Sequence, residues 1–405
     1  MIHNIKFENF YSINDCQEMD FTSNKKYCSS AKKYNDEYYI STVNCFIGAN
    51  ASGKTNALKA LSFLTWFMED SFYYSEASAN AMFDSYKLRE AEPTKFELIF
   101  DIANKLYKYT LILTPFNVIH EKLETKSIKG FTYLYKYNFD GTNKKIEYNR
   151  NGILPKININ EEKRFKLKRN ATFFSFLLGT GYLENFNIKG MFSKSFSNVT
   201  NLGNRNYDFV TETVYLSEYM QEEDAKNTLL PYLKSFDFGI DNFSDEVFKI
   251  KFLNDVEKNI ISFKHTSKDK EFILSALSES AGTIKGLFLT YQLLYVLNYG
   301  GIAIVDELDG RLHFDIARKL ISLFSNKETN INGAQLFFST HQPLFLNDRD
   351  KKQIFMCYKE NLIDTEIYRL DDVEGVRNTE NFFENYLSGK YGATPRLRNM
   401  NDVQE

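Results

Sequence analysis

The chain has 405 residues, 43% hydrophobic and 25% charged, the balance of a folded soluble protein with room for one large or two modest cores. A net charge of -3 removes any whole-chain electrostatic case for nucleic-acid binding. Cys16, Cys28, Cys45 and Cys357 form no C-x-x-C pair and no recognisable disulfide framework, so free thiols in a reducing cytoplasm are expected.

Met1-Ile2-His3-Asn4 leads straight into a strand-like segment and does not read as a signal peptide. The first stretch that carries chemistry is VNCFIGANASGKTNALKALSFLTWF. Val43 to Ile47 read as a short apolar strand, and Leu58, Leu61, Leu64 and Met68 recur at helical spacing. Between them Gly48-Ala49-Asn50-Ala51-Ser52-Gly53-Lys54-Thr55 fits G-x-x-x-x-G-K-[ST] in full. Small residues let successive backbone N–H groups wrap a phosphate, and the helix that follows presents its positive end. Lys54 is expected to reach the outer phosphates and the Thr55 hydroxyl to bind Mg²⁺, with Asn56 closing the nucleotide-binding set. Gly-rich turns alone are common; the flanking strand and helix decide this one. ATP and Mg²⁺ are the expected cofactors.

Residues 70 to 275 separate this loop from the next motif. TKFELIFDIANKLYKYTLILTPFNVIHEKLE, Thr94 to Glu124, alternates like antiparallel strands and is expected to extend the core sheet. A basic run follows in Lys144, Lys145, Arg150, Lys156, Lys163, Arg164, Lys166, Lys168 and Arg169. It could meet DNA, RNA or an acidic partner, although a solvated hairpin face is the plainer reading. There is no sustained heptad pattern, internal repeat or Pro-rich linker.

The stretch SESAGT, Ser278 to Thr283, is a small-residue turn, and Ile284, Leu287, Tyr291 and Leu294 then recur as on a helix. Gly286 to Val305 is apolar enough to suggest a membrane span, but Gln292, Asn298 and the Gly300-Gly301 break indicate a buried helix, a turn and a buried strand. That strand, Ile302 to Val305, ends in Asp306-Glu307, as a central parallel strand does where its tip faces a ligand. Asp306 is expected to hold Mg²⁺ and Glu307 to act as general base on the attacking water. Asp309 follows, then a helix with Ile316, Leu320, Ile321 and Phe324 on one face. A third buried strand, Leu336 to Phe338, ends in Ser339-Thr340-His341, which puts His341 within reach of the γ-phosphate or the water as a second catalytic residue. IFMCYKE and TEIYRL read as two more strands before a helix and YLSGKYGATP, where Gly389 and Gly392 suit a tight turn.

This order resembles ABC-type ATPases of the SMC/RecF branch. It is closer to the bacterial AAA-type ATPases grouped with OLD-like and abortive-infection proteins, such as the RloA and AbiLi ATPases. The matching pieces are FENFYSI, GANASGKTN, PTKFELIF, ESAGT, VDELDGRLH, STH and YLSGKYGATP. The resemblance implies a signature turn at Ser280, Gly282 and Thr283 that covers the γ-phosphate of a second subunit, and a D-loop at Asp309. It also implies a homodimer or higher homo-oligomer closed through the ATPase heads. One departure stands out. The family's water-sensing Gln is missing, since the only Gln between Asn56 and Ser280 is Gln221, in a segment that reads as a surface helix. The 64 residues after His341 are too few for the nuclease domain fused to OLD-family ATPases, so a nuclease or toxin is expected to be a separate effector protein.

The expected fold is α/β, an ABC-type P-loop NTPase head with a mixed sheet and an inserted α+β lobe. Its halves are residues 1–115 and 237–405, with the lobe at 116–236. The expected function is an ATP-hydrolysing sensor or switch in a cytoplasmic anti-phage system, with no membrane part. The rivals are a RecF-like DNA-repair ATPase and a nucleotide-gated scaffold with little hydrolysis.

Overall fold

The computed structural model describes residues 1–23, 30–34, 38–74, 82–149, 167–182, 192, 194–200, 203–204, 207–251, 257–268, 270–359 and 363–395. Its centre is a six-stranded sheet in the order Phe196–Ser197, Ile302–Val305, Gln335–Ser339, Val43–Ile47, Ile354–Lys359, Thr365–Arg369. The first five strands run parallel and the last antiparallel. Every residue of Val43–Ile47, Ile302–Val305 and Gln335–Ser339 is buried, as parallel strands covered on both faces require. Side chains alternate between two cores. Phe46, Ile302, Ile304, Phe337 and Phe355 point to one, and Val43, Cys45, Ile47, Ala303, Val305, Leu336 and Phe338 to the other.

The first face is covered by the helix Lys54–Asp70 and by a second, seven-stranded antiparallel sheet. Here the structure corrects the sequence reading. Thr94–Ile102, Lys105–Leu113 and Val118–Ser127 do not extend the central sheet; they pair with one another and with the N-terminal strand Ile2–Glu8. The central sheet ends at Phe196–Ser197 on one side and at Thr365–Arg369 on the other. The hairpin turn at Ala103-Asn104, with φ of 49° and 61°, returns the chain antiparallel instead. A boundary at 115–116 therefore falls inside one sheet, where Leu113 pairs with Val118. Residues 116–236, expected as an inserted lobe, also contribute to the layers around the central sheet. They supply the edge strand Phe196–Ser197 to the central sheet, and the helices Phe209–Tyr219 and Glu223–Ser235 pack against the helix Ala281–Tyr299.

The second face carries Ala281–Tyr299, Phe314–Ser325 and the three-stranded arm Asn242–Lys251, Glu257–Ser267, Lys270–Ser275. Gly286 to Val305 is the expected helix, turn and strand, with Gly300 closing the helix at φ 69°. Among the described residues no helix is long and apolar enough to cross a membrane. Arg150, Lys156, Lys163, Arg164 and Lys166 of the basic run lie outside the described residues, as does Cys28. Three of the described members are engaged within the fold: Lys145 pairs with Glu147 at 2.7 Å, Lys168 donates to Phe72 O at 2.7 Å, and Lys144 donates to Leu167 O.

Gln335 ties the two sheets together. It is fully buried. Its Oε1 accepts from Ile2 N–H at 2.6 Å, and its Nε2 donates to Ile2 O at 2.9 Å and Ser41 O at 3.0 Å. Gln335→Leu keeps the bulk but leaves those buried backbone groups unpaired. It should lower unfolding free energy by about 3 kcal/mol in a urea titration.

Candidate functional site

The phosphate loop leaves the buried strand Val43–Ile47 and enters the helix Lys54–Asp70. Close approach, not flexibility alone, requires its glycines. A Cβ on Gly48 would lie 2.1 Å from Cys357 O; one on Gly53, which sits at φ 102°, would lie 2.1 Å from Thr365 Oγ1. Ala51 also takes a left-handed φ of 61°. The Lys54 ammonium curls back over the loop and donates to Gly48 O at 3.0 Å and Ala49 O at 2.9 Å. Burial pushes its pKa below the usual lysine value. From there it can swing to an anion that enters the loop. On the outer side, Ala49 N–H donates to Ala393 O at 3.0 Å. Gly389 and Gly392, at φ 77° and 71°, make the turn that presents that carbonyl. A cavity of ≈ 1180 Å³ opens between Gly48–Ser52, His341 and the tyrosines Tyr358, Tyr368, Tyr386 and Tyr391.

Three of the expected site segments meet at one carboxylate. Thr55 Oγ1 donates to Asp306 Oδ2 at 2.9 Å, and Ser339 Oγ donates to Asp306 Oδ1 at 2.5 Å. Asp306 is 1% exposed. A threonine hydroxyl beside a carboxylate is a hard oxygen pair, which fits Mg²⁺: that ion takes one or two protein oxygens and fills its shell with phosphate and water. Glu307 follows in the left-handed region at φ 51°, an uncommon conformation for a side chain of this kind. Its N–H donates to Ser339 Oγ at 2.8 Å. Its Oε1 lies 3.7 Å from His341 Nε2, and both side chains are near half exposed. Such a carboxylate can accept a proton from water, and the imidazole can donate to an anion. Asp309 Oδ1 is buried with no hydrogen-bond partner among the described residues.

Ser280 caps the helix Ala281–Tyr299: its Oγ accepts from Thr283 N–H at 3.0 Å and lies 2.8 Å from Thr283 Oγ1. A Cβ on Gly282 would lie 3.0 Å from Arg311 O, and Lys285 donates to Gly310 O, so this turn rests on the turn after Glu307 in its own chain. Ala281 is exposed at the start of the helix. Asn56 points away from the loop interior, its Nδ2 donating to Ser12 Oγ at 2.7 Å. Gln221 lies exposed in the turn after Phe209–Tyr219.

Sequence reasoning missed Asn198. Its Oδ1 accepts from Asp306 N–H at 2.7 Å and its Nδ2 donates to Asp306 O at 3.0 Å, so it clamps the backbone of the central carboxylate. It follows the edge strand Phe196–Ser197, which pairs with Ile302–Val305. No motif spacing marks it. Ser339 was visible as the first residue of STH, but its hydrogen bonds were not.

A phosphate loop, an acid-ended parallel strand beside it and a mixed sheet between two layers define a P-loop nucleotide-binding protein. The chain belongs to the family described as "AAA domain, putative AbiEii toxin, Type IV TA system", which matches residues 43–347, and is an AAA-type P-loop ATPase domain. Among solved structures it is similar to the SMC head domain from Thermotoga maritima, at 12% identity and a TM-score of 0.41, over 91% of this chain and 98% of that one. No curated protein matches it.

Asn198→Ala removes both clamps from Asp306. ATP turnover at saturating nucleotide should fall about tenfold, measured by phosphate release.

Proposed function

We propose that this chain binds ATP and Mg²⁺ at Gly48–Thr55, hydrolyses the nucleotide, and closes head to head with a second copy. The observation that supports this most is the 2.9 Å hydrogen bond from Thr55 to Asp306, which brings the phosphate loop and the acid-ended strand to one point. Lys54 meets the outer phosphates; Thr55 and Asp306 would hold Mg²⁺, which would supply positive charge against the phosphoryl oxygens. Glu307 takes the proton of the attacking water as its oxygen bonds to the γ-phosphorus and the bond to ADP breaks. His341 steadies the γ-phosphate oxygens. Asn198 positions Asp306 by holding its backbone N–H and C=O with the two ends of its amide.

The turn Ser280, Gly282, Thr283 serves the partner's nucleotide, with Asp309 at the same interface. In this reading the protein is a cytoplasmic switch in a bacterial abortive-infection system, of the OLD-like and RloA/AbiLi group, and its nucleotide state holds or releases a separate nuclease or toxin. The family's description, which names a toxin and a toxin–antitoxin system, supports that setting.

Lys54→Ala should abolish ATP binding in a titration, since it removes the cation aimed at the outer phosphates. Glu307→Gln should bind ATP but turn it over about 100-fold more slowly, by losing the general base; equal turnover would move catalysis elsewhere. For the signature, Ala281→Asp is informative. An acid at a helix start is favourable within its own chain but repels an incoming γ-phosphate. Alone it should bind ATP and fail to hydrolyse it. Mixed with Lys54→Ala protein, which restores one complete composite site, it should regain part of the activity. Full activity of Ala281→Asp alone would refute the assignment in trans.

A further inference from the structure

We infer that Thr365 and Ser12 are positioning residues for the phosphate loop, which they hold in its phosphate-binding shape from outside the segment 43–347. The inference rests on the reading of Gly48–Thr55 as an ATP site. Four side-chain and backbone groups form one chain. Asn56 Nδ2 donates to Ser12 Oγ at 2.7 Å, Ser12 Oγ lies 2.7 Å from Thr365 Oγ1, and Thr365 Oγ1 donates to Ser52 O at 3.2 Å.

Only one arrangement of the hydroxyl hydrogens satisfies all three contacts. The Thr365 hydrogen is committed to the Ser52 carbonyl, so Ser12 must donate to Thr365, which leaves the Ser12 oxygen free to accept from Asn56. The chain therefore runs in one direction, from the first turn of the helix to the last carbonyl of the loop. Its members are held by the fold. Thr365 is 1% exposed, starts the edge strand Thr365–Arg369, and donates its N–H to Ser12 O at 2.8 Å.

The consequence for a phosphate follows from peptide geometry. In a planar trans peptide the C=O and the next N–H point in opposite directions. Anchoring Ser52 O on Thr365 therefore turns the Gly53 N–H away from Thr365, which readies it for an anion in the loop. Gly53 packs directly on this side chain, with a virtual Cβ 2.1 Å from Thr365 Oγ1 and 2.4 Å from its Cγ2. Thr365 thus sets both the carbonyl direction and the room for the glycine. Neither Ser12 nor Thr365 belongs to a phosphate-loop motif, and both lie outside the family match at 43–347.

The test uses the full chain, with a fluorescent ATP analogue titrated at fixed Mg²⁺ and steady-state turnover measured in parallel. Thr365→Val keeps the shape and removes the hydroxyl. Kd and KM should rise about tenfold, with kcat within about twofold of wild type. Thr365→Ser keeps the hydroxyl and should restore the wild-type Kd. Ser12→Ala, at a half-buried position, takes away the support of Thr365 but leaves its bond to Ser52 O, so it should weaken binding less than Thr365→Val does; Thr365→Ala, which also removes the hydroxyl, carries the test if the valine variant does not fold. The double variant should bind no more weakly than the weaker single one, because a chain breaks only once. An unchanged Kd in Thr365→Val, equal loss in Thr365→Val and Thr365→Ser, or full additivity in the double variant overturns the inference. A wild type that does not bind the analogue overturns the ATP-site reading, and this inference with it.

Discussion

The Asp306 carboxylate accepts from Thr55 at 2.9 Å and from Ser339 at 2.5 Å, and so joins segments as much as 251 residues apart. A carboxylate that is 1% exposed is unfavourable unless its oxygens are satisfied, and here two hydroxyls meet that requirement while Asn198 holds the residue's backbone. The geometry of the site follows. The helix start, the acid-ended strand and the His341 strand tip cannot drift apart without exposing or orphaning this group. The same constraint explains why Glu307 is held at a positive φ, with its N–H on Ser339 Oγ.

The sheet makes that meeting possible. The strands ending at Ile47, Val305 and Ser339 lie side by side and parallel, so their tips share one edge. Each alternates its side chains into two separate cores, and each core is closed by a different layer. Buried polar ties such as Gln335 lock the antiparallel layer to the central sheet. The phosphate loop is then held from both ends of the chain: by Ser12 and Thr365 on one side and by Ala393 on the other. A fragment limited to residues 43–347 would lack all three.

Much of this was legible in the sequence, for identifiable reasons. The loop, the acid-ended strand and the His341 strand are contiguous stretches whose chemistry and local period agree, so Gly48 to Thr55, Asp306 and Ser339 could be placed without tertiary information. The helix, turn and strand of Gly286 to Val305 were legible because Gly300 and Gly301 interrupt the apolar run. The partner sheet of Thr94 to Glu124 was not. Alternation reports that a segment is a strand but not which sheet it joins; here the partner is the N-terminal strand Ile2–Glu8, more than 85 residues away in sequence. Asn198, Ser12 and Thr365 were invisible for a related reason. Each acts through hydrogen bonds made across the fold, and no local pattern records such a bond.

We propose that Asp306 and Thr55 together make a metal-assisted nucleotide site. The most direct test is the Mg²⁺ dependence of ATP affinity, measured by equilibrium titration with and without the metal in wild type and Asp306→Asn. Mg²⁺ should tighten wild-type binding about tenfold or more, and Asp306→Asn should still bind ATP through its loop but lose most of that gain. An equal Mg²⁺ effect in both proteins would contradict it.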